Sequence, residues 1–338
     1  MISTQQEKII SLENTSIGYK WKSGSQNIVK SEISVHALKG ELVALIGENG
    51  VGKSTLLKTI AGFQPTVSGE IRILGKSILN YHEKELALLQ SFVSTEIIHV
   101  TNLSVFDLVA LGRYPHTNWF GKLLASDCDL IEECILNVGL KGYENRLVDH
   151  LSDGERQKVM IARALAQNTR IIVLDEPTAF LDLSNKYEIV HILHRLASEK
   201  GKTILFSTHD LSTAIAESDR IWLMLNDTVC QGAPEDLILN GKFSNIFPNK
   251  QLYFDQERGD FRIRKENKRI ATVKGNGLAF EWTIKALIRN GYEIITSSDE
   301  SCIQVLVEYP EWTIIHKSKP AKFNSILTLC RFLNESDE

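Results

Sequence analysis

Apolar residues in the first part of the chain come in short unbroken runs closed by polar turns, the pattern of strands buried on both faces. Leu42-Val43-Ala44-Leu45-Ile46, Ile171-Ile172-Val173-Leu174 and Thr203-Ile204-Leu205-Phe206-Ser207-Thr208 are three such runs, each too short for a stable helix. Helical patterning occupies Leu56–Ala61, Leu123–Gly139 and Lys158–Ala166, and Ser91-Phe92-Val93 reads as a further strand. Ile221-Trp222-Leu223-Met224-Leu225 followed by Asn226-Asp227 predicts a closing hairpin. Strands alternating with helices predict an α/β domain over residues 1–248, opened by a β-rich segment.

Beyond Pro248 the rhythm changes. Leu252-Tyr253-Phe254 and Phe261-Arg262-Ile263 flank the turn Glu257-Arg258-Gly259-Asp260. Strands are expected at Arg269–Val273, Tyr292–Ile295, Ile303–Val307 and Trp312–Ile315, with helices at Leu278–Arg289 and Phe323–Leu333. Residues 249–338 therefore read as a small α+β extension. Within it Gly275-Asn276-Gly277 reads as a turn, and the mixed-sign run Arg262–Arg269 as a solvated hairpin, not a nucleic-acid patch.

The chemistry begins where the first buried run ends. Gly47-Glu48-Asn49-Gly50-Val51-Gly52-Lys53-Ser54-Thr55 lies between a strand and a helix, the context that makes a glycine-rich loop a phosphate cradle. Its glycines let backbone N–H groups approach a polyphosphate at the positive end of the following helix. Lys53 is placed to reach the β and γ phosphates, and the Ser54 hydroxyl to ligate Mg²⁺. The second run delivers Asp175 and Glu176 to a strand end, and the third delivers His209 and Asp210.

One further segment decides which phosphate-loop machine this resembles. Leu151-Ser152-Asp153-Gly154-Glu155 precedes the helix that leads to Asp175-Glu176, and the arrangement resembles the ATP-binding cassette (ABC) ATPases, whose signature usually reads LSGGQ. Asp153 and Glu155 depart from that consensus while Ser152 and Gly154 keep it. The resemblance implies a P-loop NTPase fold with a RecA-like core, a β-subdomain and a helical subdomain at about residues 97–150. It implies that Asp175 holds Mg²⁺ and that Glu176 orients and deprotonates the attacking water, with His209 and Lys53 on the γ phosphate. Ser152, Asp153, Gly154 and Glu155 would act on the nucleotide of a partner copy, and Asp182 would couple the two sites. Asp182 also reads as a helix N-cap. Tyr19 is either an adenine-stacking aromatic or a core tyrosine. The glutamine that usually senses Mg²⁺ and the membrane partner is missing: its slot falls on Thr95, with Glu96 next, and Gln90 lies about five residues too early.

Bulk properties narrow the partners. A net charge of −4 and a pI of about 6.2 exclude a nucleic-acid binder that relies on overall basicity. Cysteines 128, 134, 230, 302 and 330 form no CxxC pair, so neither a disulfide framework nor a zinc site is expected. The start lacks a signal-like segment and no apolar run is long enough to cross a membrane, so a membrane role must come through a partner. The resemblance implies a cytoplasmic subunit, peripheral on the inner face of the membrane. It would work as a head-to-tail homodimer docked over residues near Thr95–His116 on an integral-membrane permease, and would meet a substrate-binding protein only indirectly. The block Leu108–His116 resembles ATPases that serve iron-siderophore, heme or vitamin B12 uptake. A soluble ABC ATPase with a regulatory, non-transport role is the second reading. Against ribosomal or DNA-repair members, the chain has one cassette, and the interval from Lys53 to Ser152 has room for a single helical subdomain.

Overall fold

The computed structural model describes residues 7–20, 26–94, 102–117, 122–247, 251–263, 269–295, 303–316 and 319–335. Thr95, Glu96 and Cys302 lie outside the described residues. By internal packing the chain divides into two units, Met1–Pro248 with Phe254–Phe261, and Asn249–Tyr253 with Arg262–Glu338.

In the first unit, two long strands, β1 (Lys8–Lys20) and β2 (Gln26–Leu38), precede the buried strand β3 (Leu42–Gly47) and helix α1 (Lys53–Ile60). Next come β4 (Ser68–Ile73), β5 (Lys76–Ser77), α2 (Glu83–Leu89) and β6 (Gln90–Val93). Three helices follow, α3 (Val105–Ala110), α4 (Ala125–Asn137) and α5 (Asp153–Ala166). The alternation then resumes with β7 (Ile171–Leu174), α6 (Leu183–Ser198), β8 (Thr203–Thr208), α7 (Leu211–Glu217), β9 (Arg220–Met224), β10 (Val229–Gly232) and α8 (Pro234–Leu239).

The central sheet runs β10-β9-β3-β8-β7-β6, parallel except for β10, which closes the expected hairpin with β9. Its central strands β3 and β7 carry no polar side chain, and β8 is buried at every position, because both faces are covered. Leu42, Ala44, Ile46, Ile172, Leu174, Ile204 and Phe206 enter one core, and Val43, Leu45, Ile171, Val173 and Leu205 enter the other. The chain leaves β3 for the far edge, returns through β7 and β8 to β3's side, then crosses to β9. That reversal opens a crevice at the carboxyl ends of β3, β7 and β8. Separately, β2-β1-β4-β5 form an antiparallel sheet, and the Lys30 ammonium on β2 donates to the carbonyls of Leu225 and Asn226 at the β9–β10 turn. Burial lowers the pKa of Lys30, with Asp227 acting in the opposite direction.

The later hairpin, β11 (Leu252–Asp255) with β12 (Asp260–Ile263), has its tip in the first unit. Phe254 stacks on Phe243 at 5.0 Å, and Phe261 meets Phe247 edge-on at 4.8 Å. A division at residue 248 thus differs from the packing at Phe254–Phe261, an aromatic contact that no local pattern announces.

The second unit holds β13 (Arg269–Lys274), α9 (Gly277–Arg289), β14 (Tyr292–Ile294), β15 (Ile303–Glu308), β16 (Glu311–His316), β17 (Lys319–Phe323) and α10 (Ile326–Glu335). Its sheet runs β14-β13-β15-β16-β17. The Trp312 indole N–H donates to Thr283 Oγ1 at 2.7 Å and ties the sheet to α9. The last helix starts at Ile326 instead of Phe323, because Lys319–Phe323 pairs with β16 as an edge strand. Pro320 tolerates that place since an edge position demands no ladder N–H, and its polar flanks hid the strand from pattern reading.

Candidate nucleotide site

Strand β3 ends at Gly47, and the chain re-enters helix at Lys53 through Gly52, which sits at φ 111°. A Cβ on Gly52 would lie 2.6 Å from Val29 Cγ1, so both conformation and space require glycine there. The Lys53 ammonium is drawn back over the loop, donating to the Gly47 carbonyl at 2.9 Å and the Glu48 carbonyl at 3.1 Å. Burial lowers its pKa, while the nearby carboxylates of Glu176 and Asp175 oppose that shift. Asn49 and Gly50 are exposed at the loop tip, and Val51 N–H donates to Glu48 O at 3.4 Å. Thr55 is buried one turn into α1, its hydroxyl 3.3 Å from the Tyr19 hydroxyl. Tyr19 itself is 49% exposed beside the loop, so the core-tyrosine alternative does not hold.

Strand β7 brings the acids to the same edge. Asp175 is 4% exposed, and its Oδ1 accepts from Ser54 Oγ at 3.0 Å and from Ser207 Oγ at 2.8 Å. Ser207 Oγ also accepts the Glu176 backbone N–H at 2.8 Å. Glu176 adopts φ 46°, a left-handed conformation that a non-glycine residue keeps only when its surroundings enforce it. Its Oε2 lies 3.9 Å from His209 Nδ1, at the end of β8. Ser207 was missed by motif reading. The signal was present: a hydroxyl inside a fully buried run must find hydrogen-bond partners.

Gln90 does not belong to this cluster. It opens β6 opposite Ile171, three positions before the Val93–Leu174 pair that leads to Asp175, which puts it roughly 10 Å back along the sheet at 3.3 Å per residue. Its Nε2 donates to the Ile60 carbonyl at 3.0 Å, and its Oε1 has no hydrogen-bond partner.

The signature segment lies at the start of α5. Ser152 is its N-cap and Glu155 the reciprocal partner: Ser152 N–H and Oγ–H donate to Glu155 Oε2 at 2.8 and 2.9 Å, and Glu155 N–H donates back to Ser152 Oγ at 3.3 Å. The departure from glutamine at Glu155 is thus a capping box. The Ser152 N–H, with help from Tyr143, keeps the Glu155 carboxyl below its ordinary range. Asp153 pairs with Arg156 at 3.1 Å. Gly154 is buried against Asn185 on α6. Asp182 caps α6, its Oδ1 accepting Asn185 N–H at 2.8 Å. The capping role expected for it is therefore present.

Comparison with known proteins gives this geometry its family. Residues 31–179 match the ABC transporter family, and residues 267–334 match the iron ABC transporter C-terminal domain. An ABC transporter ATP-binding protein of Methanocaldococcus jannaschii is 35% identical over 85% of this chain and 98% of its own length. The petrobactin import ATP-binding protein of Bacillus anthracis is 37% identical over 66% of this chain and 82% of its own. A dimeric ATP-binding cassette solved in a post-hydrolysis state with ADP and Pi superposes with a TM-score of 0.58 at 27% identity, covering 67% of this chain and 98% of that one. The chain belongs to the ABC transporter ATP-binding proteins, and it is an ATPase. Among the described residues no helix is long and apolar enough to cross a membrane.

Proposed function

We propose that this protein is the cytoplasmic ATPase subunit of an importer for iron chelates, energising a membrane-embedded permease from the inner face. The observation that carries the catalytic part is the convergence of Lys53, Ser54, Asp175, Glu176 and His209 at the carboxyl ends of β3, β7 and β8. Glu176 is the general base for the attacking water, held by its backbone to Ser207, and His209 steadies it from 3.9 Å. Lys53 exchanges its loop carbonyls for the β and γ phosphates, and Tyr19 offers an exposed ring to the base.

The residues fit Mg²⁺. Ser54 Oγ and Asp175 Oδ1 are hard oxygen donors 3.0 Å apart, and among the described residues no group of three or more His, Cys, Asp or Glu forms a cage that would hold a metal by protein alone. One carboxylate and one hydroxyl, with phosphate and water supplying the rest, is how Mg²⁺ is usually held. When bound, it supplies positive charge against the phosphate oxygens. Thr95 or Glu96 would complete that shell.

Two chains act head to tail, each lending Ser152 and Gly154 to the partner copy's nucleotide and Asp182 to the coupling of the two sites. The permease docks beside a groove of about 480 Å³ lined by Phe63, Leu86, Ala87, Gln90, Phe92 and Gln167. Phe63 is 66% exposed there, and Leu111 and Tyr114 are also exposed. The iron-chelate assignment is supported by the match of residues 267–334 and by the petrobactin import relative. Vesicles carrying this subunit with its permease should take up a ferric chelate only with ATP inside the cytoplasmic compartment. Uptake that persists without ATP, or an ATPase rate indifferent to the permease, would overturn the importer reading.

A further inference from the structure

The first two turns of α5 and α6 meet at two points within one chain, Gly154 with Asn185 and Lys158 with Glu188. The Asn185 carboxamide lies across Gly154: a Cβ built there would sit 2.6 Å from Asn185 Cγ, 2.7 Å from Oδ1 and 3.0 Å from Nδ2. The same amide donates from Nδ2 to Asp182 Oδ2 at 3.1 Å, while the Asn185 backbone N–H donates to Asp182 Oδ1 at 2.8 Å. Asn185 therefore holds both oxygens of Asp182 and covers the signature glycine at once. One turn further along both helices, Lys158 Nζ pairs with Glu188 Oε1 at 2.5 Å, with Lys158 largely buried. Contacts at two levels resist rotation of one helix against the other more than a pair at a single level, which leaves a pivot.

We propose that Asn185 is a positioning residue that locks Asp182 to the signature, so that the signature presented to a partner copy's nucleotide and the aspartate that couples the two sites move as one body. The inference rests on the head-to-tail dimer reading above. It gives Gly154 a second reason, internal to the chain, beside its place at the partner's nucleotide: the Asn185 amide occupies the space a side chain would need. A signature turned by a few degrees misplaces Ser152, and the same turn moves Asp182, so loss of the lock weakens closure without touching the chain's own phosphate loop.

The test is ATP-driven dimerisation of the full chain in a Glu176→Gln background, measured by mass, with ATP affinity of the monomer as the control on folding. Asn185→Ala should weaken dimerisation about three- to thirtyfold, the usual range for coupling residues that touch no ligand, and leave monomer ATP affinity within about twofold. Gly154→Ala should weaken it as well. The double variant Gly154→Ala with Asn185→Ala should lose less than the two single losses combined, since the clash is gone while the approach of Gly154 to the partner's nucleotide is still impaired. If the losses of Gly154→Ala and Asn185→Ala simply add in the double variant, the two residues act independently and the proposal fails. Unchanged dimerisation in Asn185→Ala also overturns it. A parent Glu176→Gln chain that stays monomeric with ATP overturns the dimer reading itself, and this inference with it.

Discussion

Removing one oxygen, in Ser207→Ala, tests how the acid pair is held. Ser207 is fully buried, and its Oγ donates to Asp175 Oδ1 at 2.8 Å while accepting Glu176 N–H at 2.8 Å. A hydrogen bond to a charged group contributes about 1.5–3 kcal/mol, and a buried N–H left without an acceptor costs about 1–3 kcal/mol. Asp175 keeps the Ser54 hydroxyl at 3.0 Å, so the lower part of the summed range applies, and the expected destabilisation is about 2.5–4 kcal/mol. The effect on turnover has a separate origin. Glu176 sits at φ 46°, and a strained conformation of this kind costs of order 1–3 kcal/mol that the clasp to Ser207 offsets. Once released, the backbone relaxes and carries the carboxylate away from the water, so kcat should fall roughly 10- to 100-fold. The phosphate loop is untouched, and ATP affinity should stay within about threefold. Denaturant midpoints and steady-state ATPase kinetics read the two effects independently. A Ser207→Ala protein with wild-type kcat would refute the clasp, and one destabilised by less than about 0.5 kcal/mol would show that the two bonds are energetically idle.

Three further outcomes follow from the site and its surroundings. Lys53 has its pKa lowered from the ordinary 10.5 by burial. Folding therefore disfavours its charged form, the penalty disappears as pH climbs through the lowered pKa, and ATP affinity should begin to fall at a pH below the ordinary lysine range; calorimetric titration at several pH values shows this, and Lys53→Arg should shift the fall upward. Glu155→Ala should lose the capping box, costing about 1 kcal/mol, whereas Glu155→Gln keeps an acceptor and removes a carboxylate from the signature, so ATP-driven dimers should tighten, read by analytical ultracentrifugation. Truncation after Ile263 should preserve ATP binding, whereas truncation after Phe247 strips the aromatic partners of Phe243 and Phe247 and should lower thermal stability by several degrees.

The parts of the fold legible in the sequence are those where local pattern and tertiary demand coincide. The runs at Leu42, Ile171 and Thr203 had to be buried strands because no charged residue interrupts them, and the glycines, Lys53 and Ser54 had to form a phosphate loop because strand and helix flank them. Whatever depends on a distant partner stayed hidden. Ser207 looks like an incidental small residue until β7 is laid beside β8. Asn185 is an ordinary helical residue until α5 meets α6. Edge strand β17 is legible only through its pairing with β16, and the Phe254–Phe261 tip only through Phe243 and Phe247. The Ser152–Glu155 capping box, by contrast, is a pairing three residues apart in an S-x-x-E pattern, so it was legible in the sequence.

The central claim is that Glu176 activates water in a site completed by a second copy of the chain. Glu176→Gln, examined for hydrolysis and for mass in the presence of Mg²⁺ and ATP, tests it most directly. Turnover should fall by at least about a hundredfold, ATP should still bind, and the protein should accumulate as a dimer carrying two ATP molecules. Near-normal turnover in that variant would remove Glu176 from the role of base. A catalytically dead chain that binds ATP yet remains monomeric would contradict the shared site.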